Sequence, residues 1–300
     1  MLSESPSYRY RILLSGVTGA LGRILLPLLA TSSFSDYQFI FIVRRNLPYQ
    51  VDFPPGRFLF SYGDASSPNS WVHHIEKFSP HRVAILSNIR HFTSFRIALN
   101  HLSIDSLPLL LIGSTGLYSS FDSYSAPYRL IEKKLLNYPK HDLLLLRPSL
   151  IFGTIDDKNY SAVVRFIRKF RFFFVVGSGN NLVHPLCYQD LANVISHCLL
   201  RSSIVGSFDL SGSHCISSID LIRLLFVHSS LNPLIFRIPL KLALFVAFVT
   251  QNILPSSLLS VERVLRQTED KCFDHSLASR VLDFYPRNLF AFLPEYCSLF

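Results

Sequence analysis

The chain has 300 residues, of which 49% are hydrophobic and 16% charged, with 17 prolines and 12 glycines. This composition excludes a disordered chain, a collagen-like repeat and a small disulfide-stapled protein, and the length suffices for one large or two modest domains with a buried core. The formal net charge of +9 favours a phosphate-bearing partner over a cationic one.

The first half of the chain alternates short apolar runs with segments of helical length. Several runs are apolar throughout, which is typical of strands covered on both faces of a sheet. A strand-then-helix alternation implies right-handed crossovers and therefore a parallel, doubly wound α/β sheet. The predicted strands are 10–15, 38–43, 57–62, 83–87, 107–112 and 143–146, and the predicted helices are 20–30, 70–78, 92–102 and 125–137.

Beyond residue 147 the alternation loosens, although we predict helices at 161–170 and 189–200 and a strand at 171–176. Segment 161–170 interleaves basic and aromatic residues, a pattern also found in nucleic-acid-binding surfaces. Its apolar positions have helical spacing, so we expect an amphipathic helix and no nucleic-acid partner. The side chains expected to pack inward are Val163, Phe166, Ile167 and Phe170, and those expected outward are Arg165, Arg168 and Lys169.

Segment 242–249, LALFVAFV, is continuously apolar. It is too short to cross the ~30 Å hydrocarbon core of a membrane, which takes roughly 20 helical residues, and we therefore expect no transmembrane span. We expect instead a buried helix in the C-terminal part of the protein. A membrane-surface helix over 234–254 is the alternative, which leaves peripheral membrane contact open.

The most informative segment is the glycine-rich turn at 16–22, GVTGALG, which follows an apolar strand and opens a helix. Glycines at these spacings permit a tight turn and a close approach of the backbone to a pyrophosphate. The amide groups of the helix N-terminus then face that anion. The pattern predicts a dinucleotide site whose members are Gly16, Thr18, Gly19, Ala20, Leu21 and Gly22.

Two arginines, Arg44 and Arg45, directly follow the second predicted strand. A dinucleotide fold selective for NAD usually places an acidic residue here, where it binds the ribose 2′-hydroxyl. Arginine instead suits the 2′-phosphate of NADP. We therefore expect NADP to be the preferred cofactor, with NAD as the alternative.

These features resemble the short-chain dehydrogenase/reductase superfamily, in particular its extended and atypical members, the NAD-dependent epimerase/dehydratase-like proteins. The glycine turn matches their GxxGxxG motif, and segment 147–153, RPSLIFG, looks like their RPxxxxG segment. Gly63-Asp64 matches a site where an Asp usually contacts adenine. The resemblance implies a Rossmann-type nucleotide domain with a smaller C-terminal substrate lobe, and it adds Asp64, Ser87 and Pro148 to the cofactor site.

The family's chemistry uses a Tyr that transfers a proton, a Lys four residues later that lowers the tyrosine pKa, and a Ser or Thr that orients the substrate oxygen. Ser114 is the best match to the Ser or Thr. Two registers are open for the tyrosine. The first uses Tyr124 with Tyr128 at the lysine position, and the second uses Tyr128 with Glu132 at that position.

The lysine is absent in either register. Lys133 is one residue out of step, about 100° around the helix, and so points away. Arg129 is another cation in this segment. Without an adjacent positive charge, a phenol with a pKa of ~10 is mostly protonated at neutral pH and is a poor base. The absence of the lysine therefore affects the proton-transfer chemistry and leaves nucleotide binding intact.

The resemblance implies an NAD(P)-dependent epimerase, dehydratase or reductase that acts on a nucleotide-linked sugar or a similar carbonyl compound. A catalytically silent dinucleotide-binding protein, serving as a sensor, chaperone or assembly subunit, is the alternative that the missing lysine favours. The expected domains are a nucleotide-binding domain over 9–155, completed by 182–212, and a smaller substrate lobe over 156–181 and 213–300.

The five cysteines all lie beyond residue 180 and form no CxxC pair, so we expect reduced thiols and a cytoplasmic protein. The polar N-terminus shows no signal-peptide pattern. The eleven histidines show no spacing that brings three or four ligands together, so we expect no bound metal. A homodimer is left open.

Overall fold

The computed structural model describes residues 8–47, 56–201, 203–253 and 260–300. The strands in these ranges are β1 (Tyr10–Ser15), β2 (Tyr37–Val43), β3 (Phe58–Tyr62), β4 (Arg82–Ile85), β5 (Leu109–Ile112), β6 (Leu143–Pro148), β7 (Ile151–Phe152), β8 (Phe173–Val176), β9 (Leu182–Val183), β10 (Leu186–Cys187), β11 (Gly206–Leu210), β12 (Ile216–Ser217) and β13 (Ile235–Ile238). The helices are α1 (Ala20–Leu29), α2 (Pro68–Phe78), α3 (His91–His101), α4 (Asp122–Leu135), α5 (Tyr160–Phe170), α6 (Tyr188–Leu200), α7 (Ser218–His228), α8 (Leu240–Ile253), α9 (Val261–Arg266), α10 (Ser276–Leu282) and α11 (Leu289–Ser298).

Seven strands form one parallel sheet in the order β3-β2-β1-β4-β5-β6-β11. The chain starts at the middle of the sheet, runs outward through β2 and β3, and then returns to add β4 on the other side of β1. This arrangement confirms the predicted doubly wound, Rossmann-like α/β fold. All six predicted strands are present, whereas the sequence pattern predicts no strand at the seventh, β11.

The sheet is covered on both faces, because successive side chains of a strand point to opposite sides. Ile12 and Leu14 of β1 pack into an apolar cluster with α1 and α6. Leu13, between them, packs into a second cluster that includes Trp71 of α2 and Phe95 of α3. Strands buried on both faces are apolar throughout, which is why their sequences show no alternation.

A third apolar cluster is built from C-terminal elements, chiefly α5, α7 and α11. The helix predicted at 161–170 is confirmed as α5. Of the side chains expected inward, Ile167 is buried, and Val163 and Phe166 are partly buried. Val164, which was not among them, is also buried. The inward position expected for Phe170 is wrong, since its side chain is 46% exposed. Residue 170 ends the helix, beyond the part of α5 that the cluster covers.

The helix over 242–249 is present within α8, but the expectation that it is buried is wrong. Leu242, Phe245 and Phe248 are 52%, 65% and 59% exposed, respectively. The buried residues of the helix are instead Ala243 and Ala247, which pack in a small cluster with α9. Small side chains allow close approach to α9, and the large apolar ones then lie on the outer side. Within the described ranges, no helix has both the length and the apolarity needed to cross a membrane.

Candidate functional site

The glycine turn between β1 and α1 has the geometry of a phosphate cradle. Gly16 has a φ of +94°, and a Cβ at this position would lie 2.5 Å from the backbone nitrogen of Ser87. A Cβ on Gly22 would lie 1.7 Å from the carbonyl oxygen of Val17. Gly19 faces open space, and α1 begins after it without a side-chain cap. The turn therefore fits a pyrophosphate, which the free amide groups of the helix N-terminus would bind.

The other predicted cofactor residues lie at the same edge of the sheet, where β1 to β4 end. Arg44 and Arg45 are exposed after β2. Asp64, after β3, accepts a 2.8 Å hydrogen bond from the amide of Ser66. This bond and the charge of Arg44 hold the pKa of Asp64 below its usual value. The Oγ of Ser87, after β4, lies 2.7 Å from the Nδ1 of His91.

Ser114, the predicted catalytic serine, lies after β5 and caps a 3-10 turn at 115–118. Its Oγ accepts the amide hydrogen of Gly116 at 3.0 Å. Tyr124, in the first turn of α4, packs directly over Gly116, because a Cβ there would lie 3.0 Å from the tyrosine hydroxyl. Ser114 and Tyr124 thus line the same cavity, whereas Tyr128 packs instead against the cluster under α2 and α3. The register that uses Tyr124 therefore places its phenol in the cavity that Ser114 lines. Tyr128 lies against Tyr124, with ring centroids 5.8 Å apart.

The cavity has a volume of about 410 Å³ and lies between the ends of β5 and β6 and a C-terminal segment at 266–273. Two of the predicted catalytic residues, Ser114 and Tyr124, line this cavity. The basic residues that line it, Lys158, Arg266 and Lys271, were not predicted as site residues. Its wall comprises Ser114, Thr115, Gly116, Tyr118, Ser119, Tyr124, Ser149, Leu150, Ile151, Lys158, Asn159, Tyr188, Arg266, Glu269, Asp270, Lys271 and Phe273.

Arg266 lies over the ring of Tyr124, and sequence reasoning missed it. Its Cζ lies 3.1 Å from the centroid of the Tyr124 ring. Its Nε is shielded from solvent and has no hydrogen-bond partner in the described part of the chain. Burial raises the pKa of Tyr124 above its ordinary value, and the positive charge of Arg266 opposes that rise. No motif or spacing in the sequence links an arginine at the end of α9 to a tyrosine of α4.

The segment carrying Arg266 is fastened to the loop before α4 by Glu269. The Glu269 carboxylate accepts hydrogen bonds from the Ser119 hydroxyl at 2.9 and 3.0 Å, the Ser120 amide at 2.8 Å and the Ser120 hydroxyl at 2.7 Å. These bonds hold its pKa below the ordinary value despite burial. Ser123 also donates a hydrogen bond to Glu262 of α9. The C-terminal segment therefore forms a fixed wall of the cavity.

An ion-pair network with little exposure to solvent connects α4 to the end of β6. Arg147, at the end of β6, donates to both carboxylate oxygens of Glu132 at 2.7 and 2.6 Å. Arg147 also lies 3.4 Å from Asp209, which accepts a 2.8 Å hydrogen bond from Tyr118. Burial and this bond to Asp209 raise the pKa of Tyr118 to about 12. Tyr118 is therefore protonated at neutral pH and is a weaker candidate base than Tyr124.

Other residues considered from the sequence are bonded elsewhere or lie in solvent. Lys133 is exposed on α4. Arg129 donates to the carbonyl oxygens of Leu117 and Ser119, which commits its guanidinium to the turn before α4. Pro148 is buried, and its carbonyl oxygen lies 3.4 Å from the hydroxyl of Thr115.

The expectation of five reduced thiols is wrong for one pair, because a disulfide joins Cys215 and Cys272, whose Cα atoms are 5.8 Å apart. Cys187, Cys198 and Cys297 are free and buried. His184 lies beside the disulfide, with ligand atoms of all three residues within 4.8 Å of one another. Sulfurs joined to each other do not offer thiolates, so we assign no metal to this group. The cytoplasmic location stays a prediction.

Solved structures with the same fold include nucleotide-sugar enzymes, although no protein-family model and no curated protein sequence matches the chain. A dTDP-glucose 4,6-dehydratase from Bacillus anthracis, solved with NAD, has a TM-score of 0.74 at 12% identity over 97% of this chain and 96% of that one. A UDP-glucuronic acid 4-epimerase from Bacillus cereus, solved with UDP-glucuronic acid and NAD, has a TM-score of 0.70 at 16% identity over 96% and 98%. A UDP-glucose 4-epimerase from Thermotoga maritima, solved with UDP-glucose, has a TM-score of 0.69 at 13% identity over 96% and 98%. At these identities the similarity establishes the fold.

The glycine turn can be tested with a matched pair of substitutions. We expect Gly22→Ala to lower the free energy of unfolding by about 2–3 kcal/mol, because the added methyl group collides with the Val17 carbonyl. Gly19→Ala, which points into open space, should cost less than about 1 kcal/mol. Urea denaturation of both variants measures the difference. Equal losses would contradict the close packing at Gly22.

The Arg147–Glu132 pair should contribute more to stability than an ion pair on the surface. Both of its side chains are about 15% exposed. Glu132→Gln removes the bidentate carboxylate and leaves Arg147 with the more distant Asp209, at 3.4 Å, so it should lower the free energy of unfolding by about 2 kcal/mol. Asp122→Asn, which breaks the exposed pair with Arg129, should cost less than about 1 kcal/mol. Denaturant titrations of the two variants compare them directly, and a similar loss in both would refute the assignment.

Proposed function

We propose that this protein is an NAD(P)-dependent epimerase, dehydratase or reductase that acts on a nucleotide-linked sugar or a similar carbonyl compound. The observation that carries the proposal is the placement of Ser114 and Tyr124 in one cavity, on a sheet whose neighbouring strand ends form a turn that fits a pyrophosphate. The structural neighbours include enzymes solved with NAD and with UDP-sugars, which supports the same class of substrate here.

The cofactor would lie along the ends of β1 to β4. The glycine turn would bind its pyrophosphate, and Arg44 and Arg45 would bind the 2′-phosphate of NADP. Asp64 would lie toward the adenine, and Ser87 and Pro148 would flank the rest of the cofactor. When bound, the nicotinamide supplies hydride transfer.

The chain's own residues supply the proton chemistry. Because the Ser114 oxygen already accepts the Gly116 amide hydrogen, its hydroxyl hydrogen is available to a substrate oxygen. Tyr124 would take or give the proton at that oxygen. Tyr128 stands where the family has lysine, and a phenol supplies no positive charge. Arg266 would replace that charge, since a cation beside a phenol favours the phenolate.

The basic wall of the cavity suits a substrate that carries a diphosphate. Lys158, Arg266 and Lys271 line it, and all three lie in the segments expected to form the substrate lobe. Two acidic residues, Glu269 and Asp270, also line it, but the Glu269 carboxylate is occupied by Ser119 and Ser120.

The alternative function is that of a catalytically silent dinucleotide-binding protein, and the direction of the Tyr124 pKa shift favours it. Its pKa is raised despite Arg266, because burial outweighs the added charge. A phenol in that state is a poor base at neutral pH, and the glycine turn would then serve binding alone. The two functions share the cofactor site and differ in the role of Tyr124.

Titration with NADPH and NADH, followed by cofactor fluorescence and thermal stability, tests the nucleotide site. We expect NADPH to bind more tightly, and Arg44→Ala to weaken NADPH by about tenfold while leaving NADH unchanged, because the lost bond is a charge-assisted contact to phosphate. Arg280→Ala, at an exposed arginine of α10, is the control. If a folded protein binds neither cofactor, the nucleotide site is refuted and both functions fail.

The role of Arg266 is tested by the pH dependence of kcat/KM with a UDP- or dTDP-linked sugar that is turned over. Activity that needs the Tyr124 phenolate rises with pH through the tyrosine pKa. Removing a nearby cation raises that pKa, so Arg266→Met should move the profile about 1 pH unit or more toward alkaline pH, and Arg266→Lys should move it less. Tyr124→Phe should lower kcat by about 10²–10⁴-fold.

Restoring the family's lysine with Tyr128→Lys should move the same profile toward lower pH, because it adds a cation one helical turn from Tyr124. An unchanged profile in Arg266→Met, beside a loss of turnover in Tyr124→Phe, would show that Tyr124 acts without Arg266. Tight NADPH binding with no turnover of any nucleotide-sugar, in the native protein and in Tyr128→Lys alike, would favour the silent function.

A further inference from the structure

Two neighbouring segments of the C-terminal half contain no acidic residue. Residues 160–181 and 229–253 include no Asp or Glu, although the chain as a whole has 20. The same segments carry only positive charges. Their basic residues are Arg165, Arg168, Lys169, Arg171, Arg237 and Lys241.

These segments also expose an aromatic row along the β8–β13 strand pair. Phe174 and Phe236 are opposite each other in the parallel register, so their rings lie on the same face of the pair. Their centroids are 5.7 Å apart, and Phe172 contacts both rings at 5.2 and 5.9 Å. Phe170, at the end of α5, continues the row at 6.2 Å from Phe172. Phe170, Phe174 and Phe236 are each nearly half exposed.

The chain passes from β13 directly into α8, whose large apolar side chains face outward. Leu242, Phe245 and Val246 follow the i, i+3, i+4 spacing of one helical face and are 52%, 65% and 43% exposed. Phe248 beside them is 59% exposed. The inner face of the helix is already satisfied by its contact with α9, so the outer face has no role in the core of the described structure.

Exposed basic side chains accompany this apolar surface. Lys169 lies 5.2 Å from the centroid of the Phe170 ring, and Arg171 directly follows Phe170 in the chain. Lys241 lies in the first turn of α8, four residues before Phe245 and therefore on the same helical face. Arg237 follows Phe236 in β13, so its side chain points to the other face of the strand pair. A helix with an outward apolar face of Phe, Leu and Val and flanking Lys or Arg is typical of segments that lie in the plane of a bilayer interface. Basic residues near an anionic leaflet each strengthen binding by about fivefold.

We infer that the exposed face of α8, together with the aromatic row of Phe170, Phe172, Phe174 and Phe236, is a docking surface for an anionic lipid bilayer. The helix would lie in the interface with its apolar face among the acyl chains, and the basic residues would meet the lipid phosphates. The charge pattern distinguishes this partner from a protein surface of mixed charge, because no acidic side chain in either segment repels the lipid. The inference stands independently of the proposed activity.

The test is flotation of the purified full chain with vesicles of phosphatidylcholine alone and of phosphatidylcholine mixed with about one-third phosphatidylglycerol. We expect binding to the anionic vesicles that weakens as salt rises, and much weaker binding to the neutral ones. The double substitution Phe245→Ser with Phe248→Ser should lower anionic binding by at least about tenfold. Lys169→Glu with Lys241→Glu should lower it as well and flatten the salt dependence.

Leu277→Ser with Val281→Ser is the matched control, since these side chains are 49% and 43% exposed on α10, away from the proposed surface. Its vesicle binding should equal that of the native chain. No binding to anionic vesicles at low salt, or unchanged binding in the Phe245/Phe248 variant, would overturn the inference. A native dimer that the same variant converts to a monomer, without vesicle binding, would assign the surface to a second copy of the chain instead.

Discussion

The reversal of strand order between β1 and β4 is the constraint on which the rest of the structure depends. β4 is added on the opposite side of β1 from β2. The helices that follow β1 and β4 therefore pack on opposite faces of the sheet, and a crevice forms between the ends of these two strands at the carboxyl edge. The glycine turn after β1 and the Ser87 backbone after β4 meet in that crevice, so closely that a side chain at Gly16 has no room. Every candidate cofactor residue before Pro148 lies at this edge.

The sheet and its glycine turn could be predicted from the sequence because both depend on local patterns. Runs that are apolar throughout mark strands covered on both faces, and glycine spacing between a strand and a helix marks a turn that must pass close to a phosphate. The two arginines after β2 could be placed for the same reason, since they directly follow a strand. Family resemblance pointed to Ser114 and to two candidate tyrosines, and the sequence does not show which of the two packs over Gly116 and lines the cavity.

What the sequence could not predict depends on contacts between distant segments. Arg266 reaches Tyr124 only because Glu269 fastens its segment to Ser119 and Ser120. The outer face of α8 was predicted to be buried because its composition matches a core helix, and composition does not tell which side chains a neighbour covers. The disulfide between Cys215 and Cys272 was missed for the same reason, since the two cysteines are 57 residues apart in the chain.

The short helix α9 contacts both α8 and Tyr124. Val264, in its middle, packs against Ala243 and Ala247 of α8, and Arg266, its last residue, lies over the ring of Tyr124. A displacement of α8 that shifted α9 as a body would change the distance between the guanidinium of Arg266 and the ring of Tyr124. Six residues of α9 thus connect the outer surface of the molecule to the wall of its cavity.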